Sequence, residues 1–284
     1  MNRTILITGS RGVIGSEVTK YFRNRGYRVI GTRRSNQQPL TGQNEIIISP
    51  WEQIDFEGEN IDCIVHIAGY YSNSLEAGEI QNTLNSNVGL AVALSQYVSK
   101  FKIPVVAVGS FAEKYPGEAG LSYYATSKMA GKDLLRGATS FSNVTFDYVY
   151  LYDTYGADIR RKKFIDLLLE VENSKQRLPA SSGLQVQDLV FIEDIAVALE
   201  RLVVSSSKFS ERFLEWQIRT GEVLTLKDIA KIVSEIKGFE LEIGWGLLPD
   251  KKRDAYSLWD CAPNLMDFSE MTKLKTGLGR MSLY

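Results

Sequence analysis

Tyr124 and Lys128, in the stretch YATSK, are the pair of residues in this chain best suited to acid–base chemistry on a carbonyl. Helical spacing puts both on one face, one turn apart. A phenol ordinarily ionises near pH 10, roughly, and a neighbouring ammonium favours its charged form. Proton transfer to or from an alcohol oxygen then comes within reach near neutral pH. Ser110 ends the apolar run VVAVGS, at the sheet edge where open α/β folds bind ligands. A tyrosine four residues before a lysine is common by chance, so the pair gains meaning only from its context.

That context begins at the N-terminus. Residues 2–34 read as an apolar strand (Ile5, Leu6, Ile7), a glycine-rich turn, a helix-period segment starting near Val13, and a second apolar strand ending in two arginines. Gly9, Gly12 and Gly15 allow a tight turn, close approach of a phosphate to backbone, and close packing of helix on sheet. A pyrophosphate would sit on the N–H groups and positive dipole end of the helix. The turn residues Gly9, Ser10, Arg11, Gly12, Val13, Ile14 and Gly15 are therefore assigned to a dinucleotide.

The tip of the second strand speaks to which dinucleotide. NAD-binding turns place an Asp or Glu about 20 residues beyond the glycines to bind the ribose 2′-hydroxyl. Here Arg33 stands in that place with Arg34 beside it, and Arg11 inside the turn adds a third cation. Guanidinium groups bind a 2′-phosphate with paired, charge-assisted hydrogen bonds, whereas a carboxylate repels it. The expected cofactor is NADP(H). Any one of these arginines is also explained as a solvated strand end; three converging on one pocket are less easily explained that way.

Strand and helix alternate as far as Leu151, which argues a doubly wound parallel sheet of the Rossmann type with right-handed crossovers. Apolar strands are expected at 45–49, 61–68, 105–110 and 144–151, with helices over 80–101 and from about 123 to 139. Ala68 and Gly69 close the 61–68 strand with small residues that let a cofactor approach. Beyond Leu151 the rhythm breaks into a glycine-containing loop, a basic cluster, an extended run turning helical near Glu193, a strand at 213–217, a helix at 225–236, a strand around 241–243 and a mostly irregular tail. The expected organisation is a dinucleotide-binding domain over 1–151, with 189–207 returning to it. Segments 152–188 and 208–284 form a smaller mixed lobe for the substrate.

At 284 residues, with 44% hydrophobic and 24% charged side chains, the chain reads as an ordinary soluble α/β protein. A net charge of −1 gives no global attraction to nucleic acid or an anionic membrane. No apolar run approaches the ~20 residues needed to span a bilayer. No leader precedes the first strand, so a cytoplasmic location is expected. Cys63 and Cys261 have no metal or dithiol spacing, and the single histidine, His66, sits inside an apolar strand without companion ligands, so no metal site is expected. His66 reads as a packed strand residue rather than a base.

With these elements in place, the chain resembles the extended short-chain dehydrogenase/reductase family, in its nucleotide-sugar branch. The resemblance covers nearly the whole chain. It rests on TGSRGVIG (8–15), HIAG (66–69), Asn87, GSFAEKY (109–115), YATSK (124–128), YDTYGADIRRKKF (152–164), DLVFIEDIA (188–196) and LPDKKRDAYSLW (248–259). It implies Tyr124 as proton donor or acceptor, Lys128 as the holder of the nicotinamide ribose that also lowers the phenol pKa, and Ser110 as the partner of the reacting sugar oxygen. Asn87 is similar to the family's positioning asparagine; its other reading is a solvated helix face. Asp194 resembles a strand-to-helix aspartate of the family and is fully explained as an N-cap.

The loop from Asp153 to Lys163 is similar to that of 4-keto-6-deoxyhexose reductases of the abequose and paratose synthase type. Arg160, Arg161, Lys162 and Lys163 would suit a nucleoside diphosphate, or equally form a solvated charge run. Many relatives carry asparagine where Asp153 stands, and arginine where Gln187 and Lys251 stand. The expected substrate contacts are Asp153, Arg160, Arg161, Lys163, Gln187 and Lys251.

The function implied is NADP(H)-dependent reduction of a nucleoside-diphosphate-linked 4-keto-6-deoxy sugar for polysaccharide precursors. A retained-cofactor nucleotide-sugar epimerase is the alternative on the same scaffold, and a non-catalytic NADP sensor the second. A dehydratase would be expected to carry an acidic pair after the catalytic hydroxyl residue, where Phe111 and Ala112 follow Ser110. A homodimer is expected through helices 80–101 and 123–139, with Leu84, Ala91, Leu94, Met129 and Leu135 offered as apolar surface.

Overall fold

The computed structural model describes residues 3–40, 42, 44–48, 51, 54, 58–72, 74–116, 122–156, 163–172, 177–208, 210, 212–251 and 254–281. In chain order the first half comprises β1 (Thr4–Thr8), α1 (Val13–Asn24), β2 (Arg28–Arg33), β3 (Asn44–Ile47), β4 (Cys63–His66), α2 (Ala77–Leu84), α3 (Leu90–Phe101), β5 (Val105–Ser110), α4 (Tyr123–Ser142) and β6 (Thr145–Leu151). The second half adds β7 (Asp153–Tyr155), α5 (Phe164–Glu170), β8 (Leu178–Pro179), β9 (Val186–Phe191), α6 (Ile192–Ser205), β10 (Arg212–Ile218), β11 (Val223–Thr225), α7 (Leu226–Lys237), β12 (Ile243–Gly244) and α8 (Leu274–Met281).

Seven strands form one parallel sheet in the order β3-β2-β1-β4-β5-β6-β10. The near-continuous apolar runs follow from burial on both faces, and the period of two divides them. Ile5, Ile7, Val65, Val106, Val108 and Val149 pack with α1 and α6 residues such as Val18, Phe22, Ile195 and Leu199. Leu6, Ile64, Val105, Ala107, Phe146 and Tyr148 face the other way, against Leu90, Leu94 and Val98 of α3 and Leu135 of α4. The chain reverses its direction of travel across the sheet between β1 and β4, so the crevice for ligands opens beyond their carboxyl ends.

The smaller sheet has the order β11-β9-β7, antiparallel then parallel, with β8 and β12 paired beside it. Its core joins Tyr155, Leu168 and Phe191 to Ile229 and Val233 of α7 and to Leu274 and Leu278 of α8.

Several expectations need correction. The 213–217 strand, read as part of the smaller lobe, is β10 at the edge of the large sheet, in register with β6 from Arg212↔Thr145 to Ile218↔Leu151. The physical reason lies in β6: Asp147 is fully buried and accepts hydrogen bonds from Arg212 Nη2 at 2.6 Å and Trp216 Nε1 at 2.9 Å, both on β10. The irregular tail contains α8, whose two glycines weaken its helical signal. Glu222 accepts the Leu274 N–H at 2.9 Å at its start.

Asp194 does not cap α6; its carboxylate accepts the Thr272 N–H at 2.7 Å and Thr272 Oγ1–H at 2.9 Å, binding the tail to α6. The helix expected over 80–101 is interrupted by a π-helical turn, Asn85–Gly89. Of the apolar residues offered for dimerisation, Ala91, Leu94 and Leu135 belong to the sheet-facing core. Leu84 and Met129 are exposed, together with Leu134 and Phe141.

Candidate functional site

The glycine turn joins β1 to α1 at the switch point. Gly9 has a φ of +71°, and a Cβ there would lie 2.8 Å from the Ala68 backbone at the end of β4; one on Gly15 would lie 2.0 Å from the Gly9 carbonyl. Both positions demand glycine. Gly12 starts α1 and no side chain caps the helix, leaving its first N–H groups for an anion. Ser10 uses its side chain within the protein: its Oγ accepts the Thr32 N–H at 2.8 Å and donates to the Thr32 carbonyl at 3.1 Å. Any contact it makes to a cofactor is left to its backbone. Val13 and Ile14 are half-buried in the first turn of α1.

A cavity of about 410 Å³ opens in front of this turn, lined by Gly9, Arg11, Gly12, Arg33, Arg34, Ala68 and Gly69 of the expected residues. Thr32, Gln37, Ile48, Trp51, Asn85, Ser86 and Leu90 complete it, none of which the sequence reading singled out. They come from five separate segments, so no local motif marks them. Of the three arginines, Arg11 is already engaged. Its Nε donates to Glu45 Oε1 at 2.6 Å, its Nη2 to Glu45 Oε2, and the same Nη2 to the Gln38 carbonyl at 2.7 Å. These hydrogen bonds hold the Glu45 carboxyl below its usual range and the Arg11 guanidinium above its own. Arg33 Nη1 donates to the Gln37 carbonyl at 2.8 Å; it lines the pocket, forms no salt bridge among the described residues, and its charge also helps hold the Glu45 carboxyl down.

At the other end of the crevice stands α4. Ser122 caps it by accepting the Ala125 N–H at 3.0 Å, which places Tyr124 in the first turn and Lys128 one turn on. Lys128 is 6% exposed. Among the described residues its ammonium has no hydrogen-bond acceptor. A Cβ on Gly69 would lie 3.7 Å from Lys128 Nζ, so the glycine at the end of β4 leaves the space in front of the cation open. Burial pushes the lysine pKa down, opposed by the charge of Glu113. His66 lies beneath, buried, its Nδ1 2.7 Å from Thr8 Oγ1; burial first, then the Lys128 charge, depress it to about 3. It is a neutral packed residue, as its place in the strand suggested. No group of metal-ligating side chains occurs among the described residues.

Asn87, 2% exposed in the π-helical turn, ties the two halves of this end together. Its Oδ1 accepts the Tyr70 N–H at 2.7 Å, and its Nδ2 donates to the Tyr70 carbonyl at 3.0 Å and to Ser127 Oγ at 2.8 Å. Ser127 in turn donates to the Tyr124 carbonyl at 2.8 Å. The solvated-face reading of Asn87 is therefore wrong. The clamp also fixes Tyr71, whose ring lies 4.9 Å from that of Tyr124.

Ser110 ends β5 and begins a short 3₁₀ turn; its Oγ accepts the Ala112 N–H at 3.3 Å, which leaves its own proton available. Three residues on, the buried Glu113 accepts the Ser110 N–H at 2.7 Å and the Tyr148 O–H at 2.9 Å. Burial raises the Glu113 pKa, with Lys128, the Ser110 N–H and Tyr148 acting against it. The sequence reading overlooked this carboxyl, although Ser-x-x-Glu is a capping-box spacing that signals it. Phe111, next to Ser110, stacks on Tyr152 at 5.1 Å and accepts a hydrogen bond from Trp259 Nε1 at 3.3 Å, which anchors the tail over the end of β5.

The expected substrate residues are more scattered. Arg160 and Arg161 lie outside the described residues. Lys163 Nζ donates to the Thr154 carbonyl at 2.9 Å and stands 3.7 Å from Asp153, so these two candidates serve each other. Gln187 lies within β9 opposite Leu224, and Lys251 is exposed, its N–H donated to Asp254 at 2.7 Å. None of the described ones, Asp153, Lys163, Gln187 and Lys251, lines the 410 Å³ cavity.

A glycine turn at the switch point of a doubly wound sheet, with a lysine buried behind Gly69, has the form of a dinucleotide-binding enzyme fold. The chain belongs to the NAD dependent epimerase/dehydratase family, whose model matches residues 5–211. It is 27% identical over 251 residues to the CDP-abequose synthase of Yersinia pseudotuberculosis, covering 85% of this chain and 87% of that protein. It is 21% identical to dTDP-6-deoxy-L-talose 4-dehydrogenase (NAD(+)) of Aggregatibacter actinomycetemcomitans, over 90% and 98% of the two chains. The fold is similar to that of MoeE5 in complex with UDP-glucose and NAD, with a TM-score of 0.80 at 20% identity over 99% of this chain and 100% of that one. The residues are compatible with a dinucleotide: the glycine turn and the helix with no side-chain cap present N–H groups to an anion, and the Lys128 ammonium has no hydrogen-bond acceptor among the described residues. No described helix is long and apolar enough to cross a membrane.

Proposed function

We propose that this protein is an NADP(H)-dependent reductase of a nucleoside-diphosphate-linked 4-keto-6-deoxy sugar. The observation that carries the redox reading is the buried Lys128 ammonium behind Gly69, one helical turn from Tyr124. The likeness to CDP-abequose synthases over most of the chain supports the sugar class. Arg33 and Arg34 at the ribose end of the cavity support NADP(H).

The nicotinamide, when bound, supplies the hydride. Tyr124 gives its phenolic proton to the carbonyl oxygen as negative charge develops there. Lys128 holds the ribose hydroxyls and stabilises the phenolate left behind. Ser110, whose oxygen already accepts a backbone N–H, directs its proton to the same sugar oxygen. The mobile proton is thus delivered by one residue and the oxygen positioned by another, which is the division of labour general acid catalysis requires. Asp153, Lys163, Gln187 and Lys251, with Arg160 and Arg161, remain the proposed contacts of the nucleoside diphosphate; exposed Lys251 is the one of the described four with its charge free for that task. A homodimer through α2, α3 and α4 is proposed on the exposed Leu84, Met129, Leu134 and Phe141, and sedimentation at micromolar concentration tests it.

The reading is tested by offering CDP-, dTDP-, UDP- and GDP-linked 4-keto-6-deoxyhexoses with NADPH. One NADPH oxidised per sugar reduced is expected. The second reading, an epimerase that retains its cofactor, is favoured by one observation: Glu45 neutralises Arg11 and so weakens the case for a 2′-phosphate. Conversion of a nucleotide sugar to its epimer without net NADPH consumption would establish it instead.

A further inference from the structure

Three guanidinium groups line the ribose end of the cavity, and one carboxylate lies against Arg11. Glu45, on β3 opposite Gly31, has a side chain only 2% exposed. It takes two hydrogen bonds from one edge of the Arg11 guanidinium and accepts the Leu40 N–H at 3.1 Å. Arg11 also donates to the Gln38 carbonyl, so the ion pair ties the glycine turn to the 34–40 loop that bounds the cavity. Gly31 itself is required by Ser10, whose Oγ would lie 2.7 Å from a Cβ there, whereas Glu45 Cγ would be in ordinary contact at 3.5 Å.

A 2′-phosphate and a 2′-hydroxyl respond differently to this arrangement. The phosphate is an anion of charge about −1.5 to −2. It is drawn by Arg33 and Arg34 and repelled by a carboxylate that is shielded from solvent and therefore poorly screened. The hydroxyl is neutral and nearly indifferent to both. The positive charge offered to a phosphate is that of Arg33 and Arg34 alone, because the charges of Arg11 and Glu45 cancel.

We infer that Glu45 is a specificity-determining residue: by pairing with Arg11 it withholds that cation from the 2′-phosphate and limits the preference for NADPH over NADH. The inference rests on the proposed reading of the cavity as an NADP(H) site. Glu45 does not line the cavity; it acts through Arg11, and its removal deletes the carboxylate charge that offsets the guanidinium.

The test is a double-mutant cycle on cofactor binding, read as dissociation constants for NADPH and NADH by calorimetry. Glu45→Gln preserves shape and one acceptor for Arg11 while deleting the charge. It is expected to tighten NADPH binding about tenfold, the scale of one charge-assisted hydrogen-bonded contact, with NADH held within about twofold. Arg11→Met/Glu45→Gln replaces the pair by neutral groups of similar volume, a change buried pairs tolerate, and is expected to keep the parent NADPH:NADH ratio within about twofold.

Two results overturn the inference. One is a Glu45→Gln variant, folded by its melting curve, whose ratio is unchanged or moves toward NADH. The other is a double variant whose ratio falls tenfold, because Arg11 then already served the phosphate in the parent; this outcome decides the matter even if Glu45→Gln fails to fold. The parent ratio itself tests the NADP(H) reading separately. A parent that binds NADH more tightly refutes that reading, while a rise in ratio on Glu45→Gln still upholds the role of Glu45.

Discussion

Replacing Asn87 by alanine is expected to loosen both sides of the reactive end at once. The side chain makes three hydrogen bonds from a nearly solvent-free position, two to the Tyr70 backbone and one to Ser127. Each contributes about 1 kcal/mol net, so the total is about 3 kcal/mol. For a chain of this size about 2–4 °C accompanies each kcal/mol, which places the expected fall in melting temperature at about 6–12 °C.

The catalytic effect is separable from the stability effect. Tyr71 rests on the Tyr124 ring and is placed by the clamped Tyr70 backbone, while Ser127 bonds the Tyr124 carbonyl, so kcat should fall more than KM rises. Asn87→Asp keeps the acceptor for the Tyr70 N–H and loses both donated bonds, and should fall between the parent and Asn87→Ala in melting temperature. Calorimetry and steady-state kinetics at a temperature well below both transitions measure the two effects. An Asn87→Ala protein melting within about 2 °C of the parent, with kcat unchanged, would refute the clamp.

Three further outcomes are expected. Gly15→Ala, whose new Cβ would sit 2.0 Å from the Gly9 carbonyl, should abolish dinucleotide binding or folding, whereas Gly26→Ala, which meets no atom within 4 Å, should lose only the smaller backbone strain of its positive φ; thermal melts with and without NADPH compare them. Tyr124→Phe should abolish turnover and leave the NADPH dissociation constant within about twofold, while Lys128→Ala should weaken both, since the ammonium is assigned the ribose as well as the phenolate. Acid should destabilise the protein through His66: neutral in the fold with a pKa near 3 but protonated near 6.5 when unfolded, it contributes stability that is complete above about 6.5 and is lost by about 1.4 kcal/mol per pH unit on the way down to about 3. Chemical denaturation between pH 4 and 7 should show a shallower slope for His66→Asn, and an identical slope would count against the buried neutral imidazole.

The parallel sheet, the glycine turn and the Tyr124–Lys128 helix are legible in the chain before it folds, because each is written in short-range patterns. Near-continuous apolar runs, a turn where Gly9 and Gly15 admit no side chain, and a tyrosine one turn before a lysine depend only on neighbours within a few residues. Pairings across long stretches of chain emerge only once the layers are assembled. Asp147 draws β10 onto β6 from 65 residues away, Asp194 secures the tail through Thr272 at a separation of 78, and Glu45 reaches across 34 residues to take the charge of Arg11. The arginines at 11, 33 and 34 are visible as a cluster in the sequence, but the carboxylate that neutralises one of them is not, since it arrives on a neighbouring strand whose register no local pattern fixes. Buried polar groups must find partners wherever the fold brings them, and that requirement, satisfied only once the layers are stacked, is why the framework was legible in the sequence while the charge balance of the site was not.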